Sequence, residues 1–416
     1  MAELSDPRSA DLRRDVTSWG AVLALVAAGV VGAAQIGKGS AALPVLQDEF
    51  GLSSAGAAWF LSIVSAIGAV AGGVLGWLGQ ALGFRRQVLL GLAAIVVTNL
   101  LGAAAGTAGS LLAARAGEGL GFVLVVLAAP GLLTEVTAPA HRRLVVGAWG
   151  VYMPLGTGLA TLLVPVAITL VGWRNAWLVD AGVTACVLLA AARWVPPSPA
   201  RRPPGLSGLS RALRSPGVMC LALAFGFYAG AYLAVVGLLP TMLVDGGLTL
   251  AAAGLVTSIV SLANVPANLL GAFLQHRGVP RWVLIVVGSA WLAATAWGVL
   301  DPGLPLAVRI ASAVAFTLVV GIVPSAAFSG VVAMSAGTAS AGAAVGLLVQ
   351  GSSIGQLLGP PLVVGMTSTV GSWVGGAATL TCLSACLLVG GVLYRSRELP
   401  LAPARGGAAA ALSTGL

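Results

Sequence analysis

The chain is 416 residues long, 58% hydrophobic and only 8% charged, with a mean hydropathy of +1.01 and a formal net charge of +9. A water-soluble chain carries about a quarter charged residues, so a soluble globular protein is excluded. The basic residues are scattered over predicted loops without the aromatic or motif context of a nucleic-acid-binding domain, which excludes that class as well.

Residues 1–18 form a charged N-terminal tail, with three arginines against four acids. The apolar run from Trp19 to Ile36 is longer than the about 7–15 residues of a signal-peptide core, so it opens a membrane span and is not a cleaved leader. Runs bounded by charge, Pro and Gly predict six spans near 19–42, 55–79, 87–106, 110–134, 144–171 and 175–194, within an N-terminal unit of residues 19–195. Residues 196–216 are rich in Pro and Arg and lack apolar periodicity, the composition of a flexible linker. Six further spans follow near 217–243, 249–274, 282–300, 304–332, 341–368 and 373–394, a C-terminal unit of residues 217–394, and an Ala/Gly-rich tail occupies 395–416.

Runs of this kind, about 19–29 residues long, cross a hydrocarbon core about 30 Å thick as helices. Lipid supplies no partner for unpaired backbone groups, so each span must be helical. A β-barrel would need alternating segments of about ten residues, and these runs are continuously apolar. The expected fold is an all-α membrane protein with twelve transmembrane helices in two pseudo-symmetric six-helix halves.

Symmetry is written into the chain. Gly76, Gln80, Gly83 and Arg86 return 195 residues later as Gly271, Gln275, Gly278 and Arg281, and Gly147 and Pro165 return at the same offset as Gly342 and Pro360. Arg115 and Pro130 return as Arg309 and Pro324. A repeat near half the length of so apolar a chain marks a carrier built from two parallel halves. With both ends on one side, 17 of the 21 Lys and Arg fall on that side, Arg174 alone falls opposite, and Lys38, Arg115 and Arg309 lie within spans. Positive residues favour the cytoplasm, so both termini are expected there, in a multi-pass protein of the cytoplasmic membrane. Cys186, Cys220, Cys382 and Cys386 sit in spans that contain no histidine and read as packing residues, so neither metal nor cofactor is expected.

The segment Gly76-Trp-Leu-Gly-Gln80-Ala-Leu-Gly83-Phe-Arg85-Arg86 resembles the loop between helices two and three of the major facilitator superfamily, with a weaker echo at Gly271–Arg281. The family's usual Asp is Gln80 here and the following Arg is Ala81, so the resemblance implies a cytoplasmic gate whose charged latch is altered. Arg115-Ala-Gly-Glu118-Gly119-Leu-Gly121 resembles the family's Arg-x-x-Gln-Gly-x-Gly motif, whose arginine lies in the central cavity and is linked to proton or substrate coupling. Around Pro154 and Gly158 the antiporter motif of span five is largely lost, and Gly172-Trp173-Arg174 is typical of the entry to span six. The overall pattern is similar to the cyanate/nitroimidazole permease branch.

An ionised side chain in the bilayer centre costs at least about 2.5–3.5 kcal/mol, so those present usually have a task. Setting aside Arg193 at the inner end of span six, five lie within spans: Lys38, Arg115, Glu118, Asp180 and Arg309. The family architecture implies that helices 1, 4, 7 and 10 line the cavity, which would aim Lys38, Arg115 and Arg309 at one aqueous space and suit an anionic substrate. Two readings of Lys38 stay open, as a substrate ligand or as a residue snorkelling from the outer end of span 1. Glu118, at i+3 from Arg115, is the candidate proton-coupling group, with a structural pair as the alternative. Asp180 reads as a structural or interfacial partner. Tyr228 and Tyr232, at i and i+4 on span 7, together with Tyr152 and Gln350, are candidate neutral ligands; Asn264, Asn268 and Gln356 are further polar groups needing partners.

The expected function is secondary active transport of a small, anionic solute by alternating access, coupled to protons, by a monomer whose partners are its substrate, protons and the lipid bilayer. The alternatives are a proton-driven drug or metabolite efflux pump and, more remotely, a non-transporting receptor or scaffold. No enzyme chemistry is expected: both histidines lie in loops and no Walker motif is present.

Overall fold

The structure, a computed structural model, describes residues 16–141, 145, 149–197, 206–335 and 341–398. The expectations for Gly147, for most of the tails and for the arginines at 142, 143, 201 and 202 fall outside the described residues, as does the side chain of Gln80. Among the described residues the regular structure is entirely helical. The helices are α1 (Trp19–Phe50), α2 (Ser54–Ser62), α3 (Ala66–Leu82), α4 (Phe84–Ala103), α5 (Ala108–Val136), α6 (Tyr152–Trp194), α7 (Leu206–Leu213), α8 (Pro216–Asp245), α9 (Leu250–Leu262), α10 (Asn264–His276), α11 (Arg281–Leu300), α12 (Leu306–Val320), α13 (Ile322–Ser335), α14 (Ala341–Val370) and α15 (Trp373–Glu398).

Among the described residues, eleven continuous helical stretches are long and apolar enough to cross a membrane. One of them, α6, has 43 residues and would run about 64 Å if straight, twice the hydrocarbon thickness. It is broken at Gly172, whose φ of 81° and ψ of 161° suit glycine, so it supplies spans five and six and the expected twelve crossings are present. Span two is α2 and α3 joined through a 3-10 turn at Ile63–Ser65; α9 with α10 forms span eight, and α12 with α13 forms span ten. Leu23, Val70, Leu90, Leu170, Leu223 and Val389 stay exposed on the outer faces, as side chains bathed in lipid can. The end of the bundle carrying residues 83, 195 and 278 is called the linker end below.

Two expectations are corrected. Span one runs eight residues past its predicted end, to Phe50, and is closed by Gly51 in the left-handed region at φ 59°. Gly37, Lys38, Gly39 and Ser40 looked like a terminus because they are small or polar, yet all four are buried contact surface inside a helix. The linker also contains regular structure: α7 turns Leu209 and Ala212, spaced i and i+3, onto the bundle.

The repeated motif has a backbone cause. Gly83 and Gly278 adopt φ of 79° and 86°, turning the chain between spans two and three and between spans eight and nine. Either position would strain any other residue.

The first and last six spans meet at several seams. Along spans two and eleven, Ser65 donates to Gln356 (2.9 Å), and Gly76 comes so close to Gly342 and Gly346 that a side chain would not fit. Between spans five and eight, Gly158 lies against Leu262 and Gly254 against Pro165. At the seam of spans one and seven, Ser40 Oγ donates to the carbonyls of Val236 (3.2 Å) and Gly237 (2.9 Å). Proline at position 240 has no N–H to give the carbonyl of Val236, and the hydroxyl of Ser40 takes up that acceptor from the other side.

Candidate functional site

Four charged side chains from three helices meet inside the first six spans. Lys38 Nζ on α1 lies 2.9 Å from Glu118 Oε1 on α5 and 3.0 Å from Asp180 Oδ2 on α6. Glu118 turns its other oxygen to Arg115, one turn away on the same helix. Lys38, Arg115 and Glu118 are at most 1% exposed and Asp180 is 17% exposed. Two cations thus face two carboxylates, and the ionised cluster carries no net charge. Such a cluster costs least in a low-dielectric interior when each charge is paired, and every donor or acceptor left unengaged adds to that cost.

Neutral groups fill most of the shell, leaving Nε and Nη2 of Arg115 without a hydrogen-bond partner among the described residues. Lys38 also donates to Gln35 Oε1 (2.7 Å) and to Asn99 Oδ1, and it stands 4.6 Å from the centroid of the Trp177 ring. Gln35 donates to Asp180 (2.9 Å), and Asn99 donates back to Gln35 (3.2 Å). Arg115 Nη1 donates to the backbone carbonyl of Gln35 (2.7 Å), and its guanidinium lies over Phe60. Gln35 and Asn99 were missed from sequence. Asn99 had a signal, being an amide set deep in the apolar run that follows Gln87 in span three; Gln35 stands three residues before Lys38 on the same helix face.

The motif glycines seat this cluster. A β-carbon on Gly119 would overlap the carbonyl oxygen of Val64, in the 3-10 turn of span two, and one on Gly121 would lie 2.5 Å from the carbonyl of Gly91 on α4. Their absence of side chain lets α5 sit against both neighbours and fixes where Arg115 and Glu118 point.

The other predicted ligands are distributed. The expectation of three cations around one open cavity is corrected, because Lys38 and Arg115 are ion-paired within the first six spans and Arg309 is not brought to them. Arg309 is part-buried near the start of α12, donates Nε to the carbonyl of Val299 (3.1 Å) and packs beside Leu239, Met242 and Leu243. Its sequence position mirrors Arg115, but no acid stands one turn on. The snorkelling reading of Lys38 also fails, since the helix continues twelve residues beyond it. Tyr152 stacks on Trp149 (4.4 Å between centroids) at the linker end, away from the charged cluster. Tyr228 and Tyr232 stack along α8 (5.9 Å), with Phe225 extending the ladder. Tyr228 lies beside Asn264. The hydroxyl of Tyr232 lies beside Thr157 and Ser261 but finds no partner at hydrogen-bonding geometry among the described residues.

Gln350 is a clasp between the two sets of spans. Its Nε2 donates to the carbonyl of Ala69 (2.9 Å) and its Oε1 accepts from the N–H of Gly73 (3.1 Å). Its amide therefore bridges the two ends of one i to i+4 rung of α3. Both backbone groups are helical partners at i and i+4, so Gln350→Ala leaves them able to pair with each other and should fold normally while loosening the seam of spans two and eleven. Spin labels on the exposed linker-end positions Leu82 and Arg277 should then show an increased long-distance population; an unchanged distribution would remove Gln350 from this role.

The predicted gate motif works largely within each set of spans. Arg85 donates to the carbonyls of Val195 (2.8 Å) and Ala192 (2.7 Å), capping the end of α6, where a cation suits the helix dipole; Arg86 is exposed. In the second copy Gln275 bonds Ser325 (2.9 Å) and Ser329, while Arg281 bonds Ser329 (3.1 Å) and pairs with Glu398 (3.1 Å). Gly271 packs against Ser325 and Ile322 of its own set, and Gly76 alone of the motif's described contacts bridges to the other set.

Twelve apolar spans, the first six enclosing a buried charged cluster, with seams between two sets of six, define a multi-pass membrane carrier. The family model of the Major Facilitator Superfamily matches residues 23–360, and the chain belongs to that superfamily. It is 30% identical over 369 residues to monocarboxylate transporter 11 of Homo sapiens, covering 83% of this chain and 76% of that one. It is also 30% identical over 290 residues to the 2-nitroimidazole transporter of Escherichia coli (strain K12), covering 65% and 68%, in keeping with the resemblance read from sequence. The fold is shared with a bacterial homologue of the human lysosomal transporter Spinster, in an inward-facing and occupied conformation, at a TM-score of 0.71 and 16% identity over 97% of this chain and all of that one. The protein is a membrane transporter of small molecules, and not an enzyme.

Proposed function

We propose that this chain is a secondary active transporter that carries a small anionic solute and a proton together across the cytoplasmic membrane by alternating access. The observation that carries the reading is the sharing of one buried carboxylate, Glu118, between Lys38 and Arg115. A proton on Glu118 would leave the cluster with one uncompensated positive charge in a low-dielectric interior. A bound monoanion would restore neutrality. Each event thereby lowers the cost of the other, which is the requirement for coupling. Lys38 and Arg115 supply the positive field, Glu118 takes the proton, and the ring faces of Tyr228 and Tyr232 offer a wall for an organic body. The name of the human relative, a monocarboxylate transporter, fits a small organic anion. The aromatic ladder Phe225–Tyr228–Tyr232 favours a second reading, efflux of a lipophilic compound.

Uptake by reconstituted vesicles decides between them. Small carboxylates should accumulate when the medium is more acidic than the lumen and only equilibrate without the gradient. Glu118→Gln should keep exchange between equal pools yet lose gradient-driven accumulation. Accumulation by Glu118→Gln would place the coupling elsewhere.

The proposed orientation puts the linker end and both termini in the cytoplasm and takes the working unit as a monomer in the bilayer. A cysteine at exposed Ser207, in a background without the four native cysteines, should escape an impermeant maleimide on intact cells. Efficient labelling there would invert the topology.

A further inference from the structure

We infer that the anion's docking point is the Nε–Nη2 edge of Arg115, and that this edge selects a planar monocarboxylate. The inference rests on the transport reading above. Lysine has three N–H donors, and Lys38 already faces four acceptors: Gln35, Asn99, Glu118 and Asp180. It has nothing left to offer a ligand. Arginine has five donors, and Arg115 uses only its Nη1, on Glu118 and on the carbonyl of Gln35. Its Nε and Nη2 are fully buried and have no hydrogen-bond partner among the described residues. Those two atoms form one edge of the guanidinium, whose paired, parallel donors match the two oxygens of a carboxylate.

The surroundings hold that edge in place. The guanidinium lies over Phe60, with Cζ 5.2 Å from the ring centroid, and against Gly39, where an added methyl group would stand 2.5 Å from Nη2. Next to Gly39, Ser40 holds span one to span seven through the carbonyls of Val236 and Gly237. The seam between the two sets of spans therefore passes within one residue of the edge, and parting of that seam is what would admit a ligand. Gly39 is in this account a positioning residue. It leaves room for the guanidinium without touching the substrate.

Ligand-induced thermal stabilisation of the purified full-length protein tests the assignment, using pyruvate and propionate, the uncharged propionamide, and the tetrahedral ethylphosphonate as probes. Pyruvate or propionate should stabilise, and propionamide and ethylphosphonate should not. Arg115→Lys, which keeps the charge beside Glu118 but loses the edge, should weaken carboxylate binding about 10- to 100-fold. Gly39→Ala, which keeps every charge, should weaken it in the same direction by displacing the guanidinium. Equal stabilisation by the phosphonate, or carboxylate affinity unchanged in both variants, would overturn the edge while leaving proton–anion coupling standing. Failure of every anion to bind the wild-type protein or to be driven by a pH gradient would overturn both.

Discussion

Glu118→Gln should lower the melting temperature of the protein and at the same time increase the stabilisation it gains from a carboxylate. The carboxylate of Glu118 neutralises Lys38 through one oxygen and Arg115 through the other, all three side chains being buried. Its removal leaves two cations with Asp180 alone. Breaking one partner out of a buried ion pair costs about 3–5 kcal/mol, because a charge is left without compensation. Adding Lys38→Met returns the cluster to one cation and one acid, so the double variant should recover much of the lost stability without recovering gradient-driven transport. On the proposed coupling, the amide also imitates the protonated state in which an anion would be most favoured, so the single variant should gain more from ligand than the wild type does. A single variant as stable as the wild type, or one with no enhanced response to carboxylate, would show that Glu118 does not balance the two cations.

Gly119→Ala should be among the most damaging single methyl additions in the chain. Its β-carbon would overlap the carbonyl oxygen of Val64, and a backbone oxygen in a 3-10 turn cannot rotate away as a side chain can. Overpacking of well-filled interiors costs about 1–3 kcal/mol where side chains can yield, and here the helices themselves must part, so a loss at or above the top of that range is expected. Gly182 on α6 is the control: a β-carbon there meets nothing within 4 Å. Gly182→Ala should be neutral or stabilise by up to about 1 kcal/mol, from helix propensity. Thermal unfolding of the two variants in the same detergent separates the cases, and a Gly119→Ala protein as stable as Gly182→Ala would refute the contact between spans two and four.

The twelve spans were legible because lipid leaves the chain few choices, and a long apolar run in that solvent must be helical. The pair Arg115–Glu118 was legible for the same local reason, since i and i+3 share a helix face. Lys38 with Asp180 was not, being separated by 142 residues and joined only by how α1 packs against α6. The misplaced end of span one has the same origin. Gly37 and Gly39 resemble a helix terminus in sequence but serve as seats for Thr157 and Arg115. Arg309 shows the limit of reading a repeat as function: the repeat preserves its place on span ten, yet its neighbours are a backbone carbonyl and aliphatic side chains. Gln350 read as a ligand because an amide within a span needs a partner, and its partner is the backbone of span two.

The central claim is that the buried cluster stays electrically neutral through the cycle, so that a proton and a monoanion move together. Simultaneous recording of pyruvate uptake and internal pH in vesicles, with membrane potential set by potassium and valinomycin, tests it most directly. The account predicts internal acidification in step with uptake, at about one proton per anion, and uptake unaffected by the imposed potential. Pyruvate entry without acidification, or entry that follows the potential, would contradict it.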